Sequence, residues 1–343
     1  MATSIYEFAQ LPATNGAPAA HRPRARHPGE APRVGVIYNP RSHGNRGVDF
    51  DCGISPHVHI AQPGDRSQLP TALEDFAASG IDLLVINGGD GTVRDVLTCG
   101  APIFGDEWPT LAVLPKGKTN ALTVDLGVPA NWTLQNAIDA FDADKRVHRR
   151  PIAVSALDGE TASHLFGFIL GAGSFTTATR AGQSAHRLGA FNAMAVGVTA
   201  LWGVAQWLFA SRENAWRRGA RMKVSLGANG APLAHSGHGD PAWRQMLFAT
   251  TLETLPAGLA PFGRLRKGLR LAALDQISRR STFVIPAVMR GKTLPNLRER
   301  GIHQVATPQF TLDIEDQFIF DGEAFPAGRY SVGQGPNLEF VTA

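Results

Sequence analysis

The residues whose types and spacing could do chemistry begin at Leu83–Leu97, LLVINGGDGTVRDVL. The apolar run Leu83 to Ile86 reads as a buried strand, Asn87 to Gly91 as a sharp turn, and Thr92 to Leu97 as the start of a helix. Glycines let a backbone approach a ligand closely. A helix start offers unpaired N–H groups and the positive end of a dipole, which suit a phosphate. Asp90 does not belong in a simple phosphate cradle, because a carboxylate repels phosphate. It fits if Mg²⁺ sits between them, or if Asp90 takes a proton from a substrate hydroxyl. The plain alternative is an Asx turn.

Two more polar loops follow apolar strands in the same unit: Asn39-Pro40-Arg41-Ser42 after Val34–Tyr38, and Pro115-Lys116-Gly117-Lys118-Thr119-Asn120 after Leu111–Leu114. Open α/β sheets bind ligands at the carboxyl ends of their strands, so three such loops on one edge point to a nucleotide site. No GxxxxGK[ST] or GxGxxG motif is present, which disfavours a P-loop enzyme and a dinucleotide oxidoreductase. Far downstream, Asp321-Gly322-Glu323 turns out of the strand Phe318–Phe320. Transfer of a phosphoryl group to a hydroxyl needs a proton acceptor, a cation and alignment. Asp90 and Glu323 are the two candidates for that acceptor, and a nearby pair of carboxylates would raise one pKa.

These residues need elements to hold them. Strands alternate with helices from Arg33 to about residue 150: strands at 34–38, 58–61, 83–86 and 111–114, and helices at 69–79, 92–97, to about Asp125, and 132–141. That alternation predicts a mostly parallel, doubly wound sheet. After Pro151 the chain becomes rich in short strands, predicted at 152–157, 164–170, 222–226, 246–252, 269–274, 281–288, 309–314 and 317–320, a sandwich pattern. Gly171 to Ser174 follows one of these strands and reads as facing the cleft. The 343 residues favour two domains. Residues 1–32, with Arg22, Arg24 and Arg26 among prolines, read as a disordered basic tail.

Thirty-three Lys and Arg against 29 Asp and Glu leave a net charge of +4, favouring an anionic partner. Two cysteines, Cys52 and Cys99, exclude a disulfide framework and suggest a reducing compartment. Residues 188–210 are uncharged. They read as a buried helix pair, an apolar wall for acyl chains, or a span interrupted by Asn192, Thr199 and Gln206. Arginines flank them, and Arg264, Arg266, Lys267 and Arg270 form a second basic run, which suits an anionic lipid surface. His57, His59, His235 and His238 lack further ligands at metal spacing.

Asn39-Pro40 with Ser42, Gly88-Gly89-Asp90-Gly91-Thr92, Pro115-x-Gly117-x-x-Asn120 and Asp321-Gly322-Glu323 together resemble the diacylglycerol kinase catalytic family, which includes bacterial lipid kinases and sphingosine kinases. The resemblance implies an N-terminal nucleotide-binding α/β domain over 33–150 and a C-terminal β-rich domain over 151–343. The last segment of the chain could return to the first domain, with the active site in the cleft. It implies ATP and Mg²⁺, and transfer of the γ-phosphate to a lipid hydroxyl, most simply diacylglycerol to phosphatidic acid. Gly88, Gly89, Gly91 and Thr92 would hold phosphates; Asn39, Pro40, Ser42, Gly117, Lys118, Thr119, Asn120 and Asp321 would line the nucleotide. Asp90 would organise Mg²⁺ or act as base with Glu323.

The partners implied are a lipid substrate and an anionic membrane surface, bound peripherally from the cytoplasm, rather than nucleic acid; a homodimer is compatible. The chain departs from the family in having Lys118 and Ala121 in place of a threonine and an aspartate. Arg94 and Asp95 stand where the family has Asn and Glu, and Lys267-Gly268 replaces an Asp-Gly. Two other readings share the GGDGT logic: a kinase of a sphingoid base or an NAD-like acceptor, and a non-catalytic nucleotide- or membrane-binding protein.

Overall fold

The computed structural model describes residues 8–13, 30–46, 56–158, 163–187 and 214–343. In chain order the first strands are β1 (Val34–Tyr38), β2 (Val58–Ala61), β3 (Leu83–Gly88), β4 (Thr110–Pro115) and β5 (Arg146–Arg149). Then follow β6 (Ile152–Ala156), β7 (Leu165–Gly167), β8 (Ile169–Gly173), β9 (Ala220–Leu226), β10 (Ala231–Pro232), β11 (Trp243–Arg244), β12 (Met246–Thr250) and β13 (Arg270–Leu274). The last are β14 (Ile302–Ala306), β15 (Gln309–Ile314), β16 (Phe318–Phe320), β17 (Glu323–Phe325), β18 (Gly328–Gln334) and β19 (Leu338–Val341).

The first sheet has the order β2-β1-β3-β4-β19-β5, parallel except where β5 meets β19. Every residue of β1 and β3 is buried. Strands covered on both faces need continuous apolar runs, and VGVIY and LLVING supply them. Helices α1 (Leu69–Ala78) and α2 (Asp90–Phe104) pack on one another. Leu69, Leu73, Phe76 and Ala77 of α1 are buried at helical spacing. Phe76 lies so close to β1 that a Cβ at Gly35 would come within 2.8 Å of its ring.

The chain leaves β1 towards one side, to β2, and then crosses to β3 on the other side. That reversal makes the gap between the carboxyl ends of β1 and β3 the switch point of the sheet, where a crevice opens.

The second sheet runs β10-β9-β15-β18-β6-β7, with β11 also on β9; the third runs β14-β13-β12-β8-β16-β17. Both are antiparallel, and they stack as a sandwich. Val224, Phe310 and Leu312 from one sheet share a buried core with Leu170, Leu247 and Leu271 from the other. Period-two alternation drives this: along β15 Phe310, Leu312 and Ile314 turn inward. The other face of the third sheet is also covered. Ile169, Phe248 and Ala272 join the core of the first unit beside Phe168, Leu252 and Phe262. The two units therefore meet along an apolar seam. The chain closes by returning to the first sheet, where Phe340 of β19 pairs with Leu111.

Several expectations need correction. Ser281–Val288 is not a strand but two short helices, Arg279–Thr282 and Ile285–Met289. The Ser278 hydroxyl caps the first by accepting from the Ser281 N–H at 3.1 Å, and Pro286 opens the second, so local chemistry outweighs β-branched composition. Gly171–Ser174 does not simply follow a strand. It completes β8 and starts a helix, and Gly171 faces Phe175 where no Cβ fits. Arg270 does not join a surface basic run, because it is 2% exposed and donates to the carbonyls of Leu252 and Leu265.

Within residues 1–32, Phe8–Gln10 form a 3-10 turn whose Phe8 ring packs on Phe325 and Tyr330, and Leu11 is buried. Residues 188–210 lie outside the described residues, among which no helix is long and apolar enough to cross a membrane.

Candidate active site

The loops after β1, β3 and β4 converge at the switch-point crevice. Asn39 Nδ2 donates to Thr92 Oγ1 at 2.9 Å, and the Asn39 N–H to Asn87 O at 3.1 Å. Asn45 Nδ2 ties the first two loops together through the carbonyls of Asn39 and Asn87, at 2.8 and 3.3 Å. The Ser42 N–H donates to Asn39 O, and the Gly44 N–H to Lys116 O in the third loop.

Gly89 and Gly117 pass backbone to backbone. A Cβ on Gly89 would stand 2.8 Å from Gly117 Cα, and one on Gly117 2.7 Å from Gly89 Cα. Neither position admits a side chain. Asn120 closes its loop with both halves of its amide. Oδ1 accepts from the Gly117 N–H at 2.7 Å and Nδ2 donates to Gly117 O at 3.1 Å, with a left-handed φ of 52°. Pro40 is half-buried beside Asn39, Gly88 is buried and Gly91 half-buried under the turn, and Lys118 and Thr119 are exposed at the rim.

Asp90 is the first residue of α2, yet its carboxylate reaches sideways. Its oxygens accept from the N–H groups of Ala121 and Leu122 at 3.1 and 3.3 Å, at the start of α3 (Ala121–Asp125). Burial raises its pKa, against those same N–H groups. Asp321 arrives from the other unit. Asp321 and Gly322 form the two-residue turn between β16 and β17, both with positive φ (42° and 84°), the type I′ geometry that an Asp-Gly pair favours. The Asp321 carboxylate accepts from the N–H groups of Phe168 and Ile169, at 3.0 and 2.9 Å.

Burial, then the negative charge of Asp90, push the Asp321 pKa up to about 7, with Arg94 pulling the other way. Glu323 is also raised, by burial and then by Asp95, with Arg94 opposing. Unlike the two aspartates, Glu323 has no hydrogen bond to its carboxylate among the described residues. Asp90 and Asp321, from different units, are thus near enough for their charges to interact, while Glu323 feels Arg94 and Asp95; all three carboxyls have a raised affinity for a proton.

Residues not singled out from the sequence as functional complete the site. Arg94 is 1% exposed; it donates to Asp95 Oδ1 through Nε and Nη2, at 3.1 and 2.9 Å, and to the Phe320 carbonyl at 3.3 Å. A buried cation therefore joins α2 to the base of the Asp321 turn. Asn87 is fully buried directly before Gly88, and neither side-chain amide atom has a partner among the described residues. A small cleft of about 50 Å³ at the β1 and β3 ends is lined by Asn39, Arg41, Arg66, Thr92 and Asp95. Among the described residues no three His, Cys, Asp or Glu side chains form a ready-made metal cluster. His235 instead lies 3.7 Å from Asp275, and His238 bonds the Glu299 carbonyl.

The Asp321 shift has a consequence for stability. A carboxyl whose folded pKa exceeds its unfolded value, near 4, binds its proton more tightly in the native state. Stability then falls as pH rises from about 4 to about 7, and levels off above that. Asp321→Asn keeps an acceptor for Phe168 and Ile169 but cannot ionise. In urea unfolding with chelator present, the wild type should lose stability relative to Asp321→Asn between pH 4 and pH 8. Parallel profiles would show that Asp321 ionises normally.

Comparison with known proteins agrees with this geometry. Residues 33–154 match the diacylglycerol kinase catalytic domain model. The diacylglycerol kinase of Bacillus subtilis is 33% identical over 140 residues, which is 37% of this chain and 43% of that protein. The probable lipid kinase YegS of Escherichia coli is 32% identical over 78 residues, 22% of this chain and 25% of that one. The chain thus aligns with less than half the length of these curated relatives. A solved diacylglycerol kinase structure from Bacillus anthracis superposes with a TM-score of 0.57 at 16% identity, covering 91% of this chain and 97% of its own, a likeness of fold alone. The match to the family model spans all three converging loops, so over residues 33–154 the N-terminal unit resembles the diacylglycerol kinase catalytic domain.

Proposed function

We propose that this protein is an ATP-dependent lipid kinase that transfers the γ-phosphate to a lipid hydroxyl, most simply that of diacylglycerol. One observation carries the reading: loops from the β1, β3 and β4 ends converge beside Asp90, whose charge reaches Asp321 of the other unit, and Arg94 links that pair to Glu323. Phosphoryl transfer demands positioning and charge compensation more than covalent chemistry. The close-packed backbone at Gly88, Gly89 and Gly117 suits phosphate oxygens, with Thr92 beside them and Arg41 and Arg66 at the cleft supplying positive charge. Asn39, Pro40, Ser42, Lys118, Thr119 and Asn120 shape the nucleotide side. The unpartnered amide of Asn87 supports a polar ligand there, since a buried amide left without a partner is costly.

The donor set fits Mg²⁺ as kinases use it, on one or two carboxylates plus substrate phosphates rather than in an all-protein cage. Asp90 and Asp321, desolvated and repelling one another, would hold it, and the ion would offset phosphate charge when bound. Glu323, with its raised pKa and with oxygens that no described residue engages, takes the proton from the attacking hydroxyl.

The test is transfer of radiolabel from γ-labelled ATP to defined acceptors in mixed micelles: diacylglycerol, sphingosine, and NAD in solution. Label in phosphatidic acid is expected. Label only in another acceptor would change the substrate, and none in any, with ATP bound, would mark a non-catalytic nucleotide binder.

A further inference from the structure

The segment after β13 has properties that nucleotide chemistry does not use. The helices Arg279–Thr282 and Ile285–Met289 and the turns to Arg300 carry six cations, Arg279, Arg280, Arg290, Lys292, Arg298 and Arg300, against one acid, Glu299. All six are exposed, and none makes an ion pair among the described residues. Between the two helices stands Phe283, 72% exposed, the most exposed large apolar side chain of the described residues. The backbone beneath it is anchored: Val288 is buried with Leu274, Ile277 and Ile302, and Val284 and Ile285 pack against the same cluster. Phe283 is thus presented outward by a rigid base. A phenylalanine left in water forgoes the stabilisation that burying its ring would give.

Two neighbouring features extend the surface. The Ala260 N–H donates to Met289 O at 2.8 Å, which ties this segment to the loop carrying exposed Leu259, Arg264, Arg266 and Lys267. On the Arg279 side opens a recess of about 410 Å³, lined by Arg217, His238, Gln276 and Ser278 with Arg279 itself, polar and of a size for a phosphate headgroup.

We infer that this face docks on the surface of an anionic lipid bilayer, with Phe283 entering the headgroup–acyl boundary and the surrounding cations binding lipid phosphates. An apolar wedge ringed by arginine and lysine is the arrangement that combines burial with attraction to anionic lipid. The inference adds to the lipid-kinase reading a site for the membrane, and it does not depend on catalysis.

The experiment is sedimentation of the full chain with vesicles of phosphatidylcholine containing 30 mol% phosphatidylserine, without diacylglycerol or ATP. Each cation near the surface contributes about fivefold in affinity, so Arg279→Glu with Arg280→Glu should weaken binding well over tenfold. Phe283→Ser should weaken it about tenfold, from the lost burial of one aromatic ring. Melting temperatures should stay unchanged, because all three side chains are exposed.

No binding to anionic vesicles, equal binding to pure phosphatidylcholine, or wild-type binding by either variant would overturn the proposal. So would equally tight binding of an oligonucleotide that is lost with Phe283→Ser, which would make the partner a nucleic acid. Kinase activity in detergent micelles should be the same for wild type and Phe283→Ser. Failure of the docking surface and failure of the kinase reading are therefore separate results.

Discussion

Replacing Asp90 with Asn should abolish phosphoryl transfer, by about a thousandfold or more, while the protein stays folded. Asparagine has the size and shape of aspartate and retains one oxygen acceptor. Of the two N–H groups that Asp90 accepts, from Ala121 and Leu122, one loses its partner. That costs about 1 kcal/mol, since a net hydrogen bond is worth roughly that much. Against it, the variant loses a charge that is desolvated and repelled by Asp321, a gain of opposite sign. The melting temperature should move little. The chemistry is different: under the proposed mechanism Asp90 would hold the ion that offsets phosphate charge, a contribution of several kcal/mol. Label transfer from ATP and a thermal melt of the same preparation measure both quantities. Turnover within about tenfold of wild type would remove Asp90 from that role.

Arg94→Met should give the larger loss of stability, about 3–5 kcal/mol, which is what removing one partner of a buried charge pair costs. Methionine fills much of the volume but supplies no donor. Asp95 then loses its Arg94 contact at 2.9 Å and keeps only Arg66 at 3.9 Å, and the Phe320 carbonyl at the root of the Asp321 turn loses the guanidinium at 3.3 Å. Because Arg94 opposes the pKa rises of both Asp321 and Glu323, removing it should raise both further. If Glu323 is the base, the acid limb of the pH–rate profile then moves to higher pH. Arg94→Lys should recover charge but not the forked geometry, and so land between the two. Urea unfolding and pH–rate profiles in micelles test this. A wild-type unfolding midpoint for Arg94→Met would show that Arg94 does not hold α2 to the base of the Asp321 turn.

Arg94 also shows where reading the sequence stops. The strands β1, β3 and β4 and the helix α1 were legible because burial on both faces of a parallel strand, or on one face of a helix, imposes a local period on composition. The three loops could be placed at strand ends for the same reason, and the Asp-Gly turn follows from the φ > 0 it requires. The helices at 279–289 were missed because β-branched composition outweighed two short-range signals, the Ser278 cap and Pro286.

What residues in sequence determined, then, was which segments alternate and which loops are polar. The tertiary structure decided what those loops face. Asp321 meets Asp90 across 231 positions of chain, and Arg94 meets the Phe320 carbonyl across 226. Arg270 leaves the surface because Leu252 and Leu265 turn their carbonyls to it. An arginine carries the same charge and pattern whether it ends in solvent or in a core. Only the long-range packing of the two units supplies the partners that make burial tolerable, and with them the pKa values of the site.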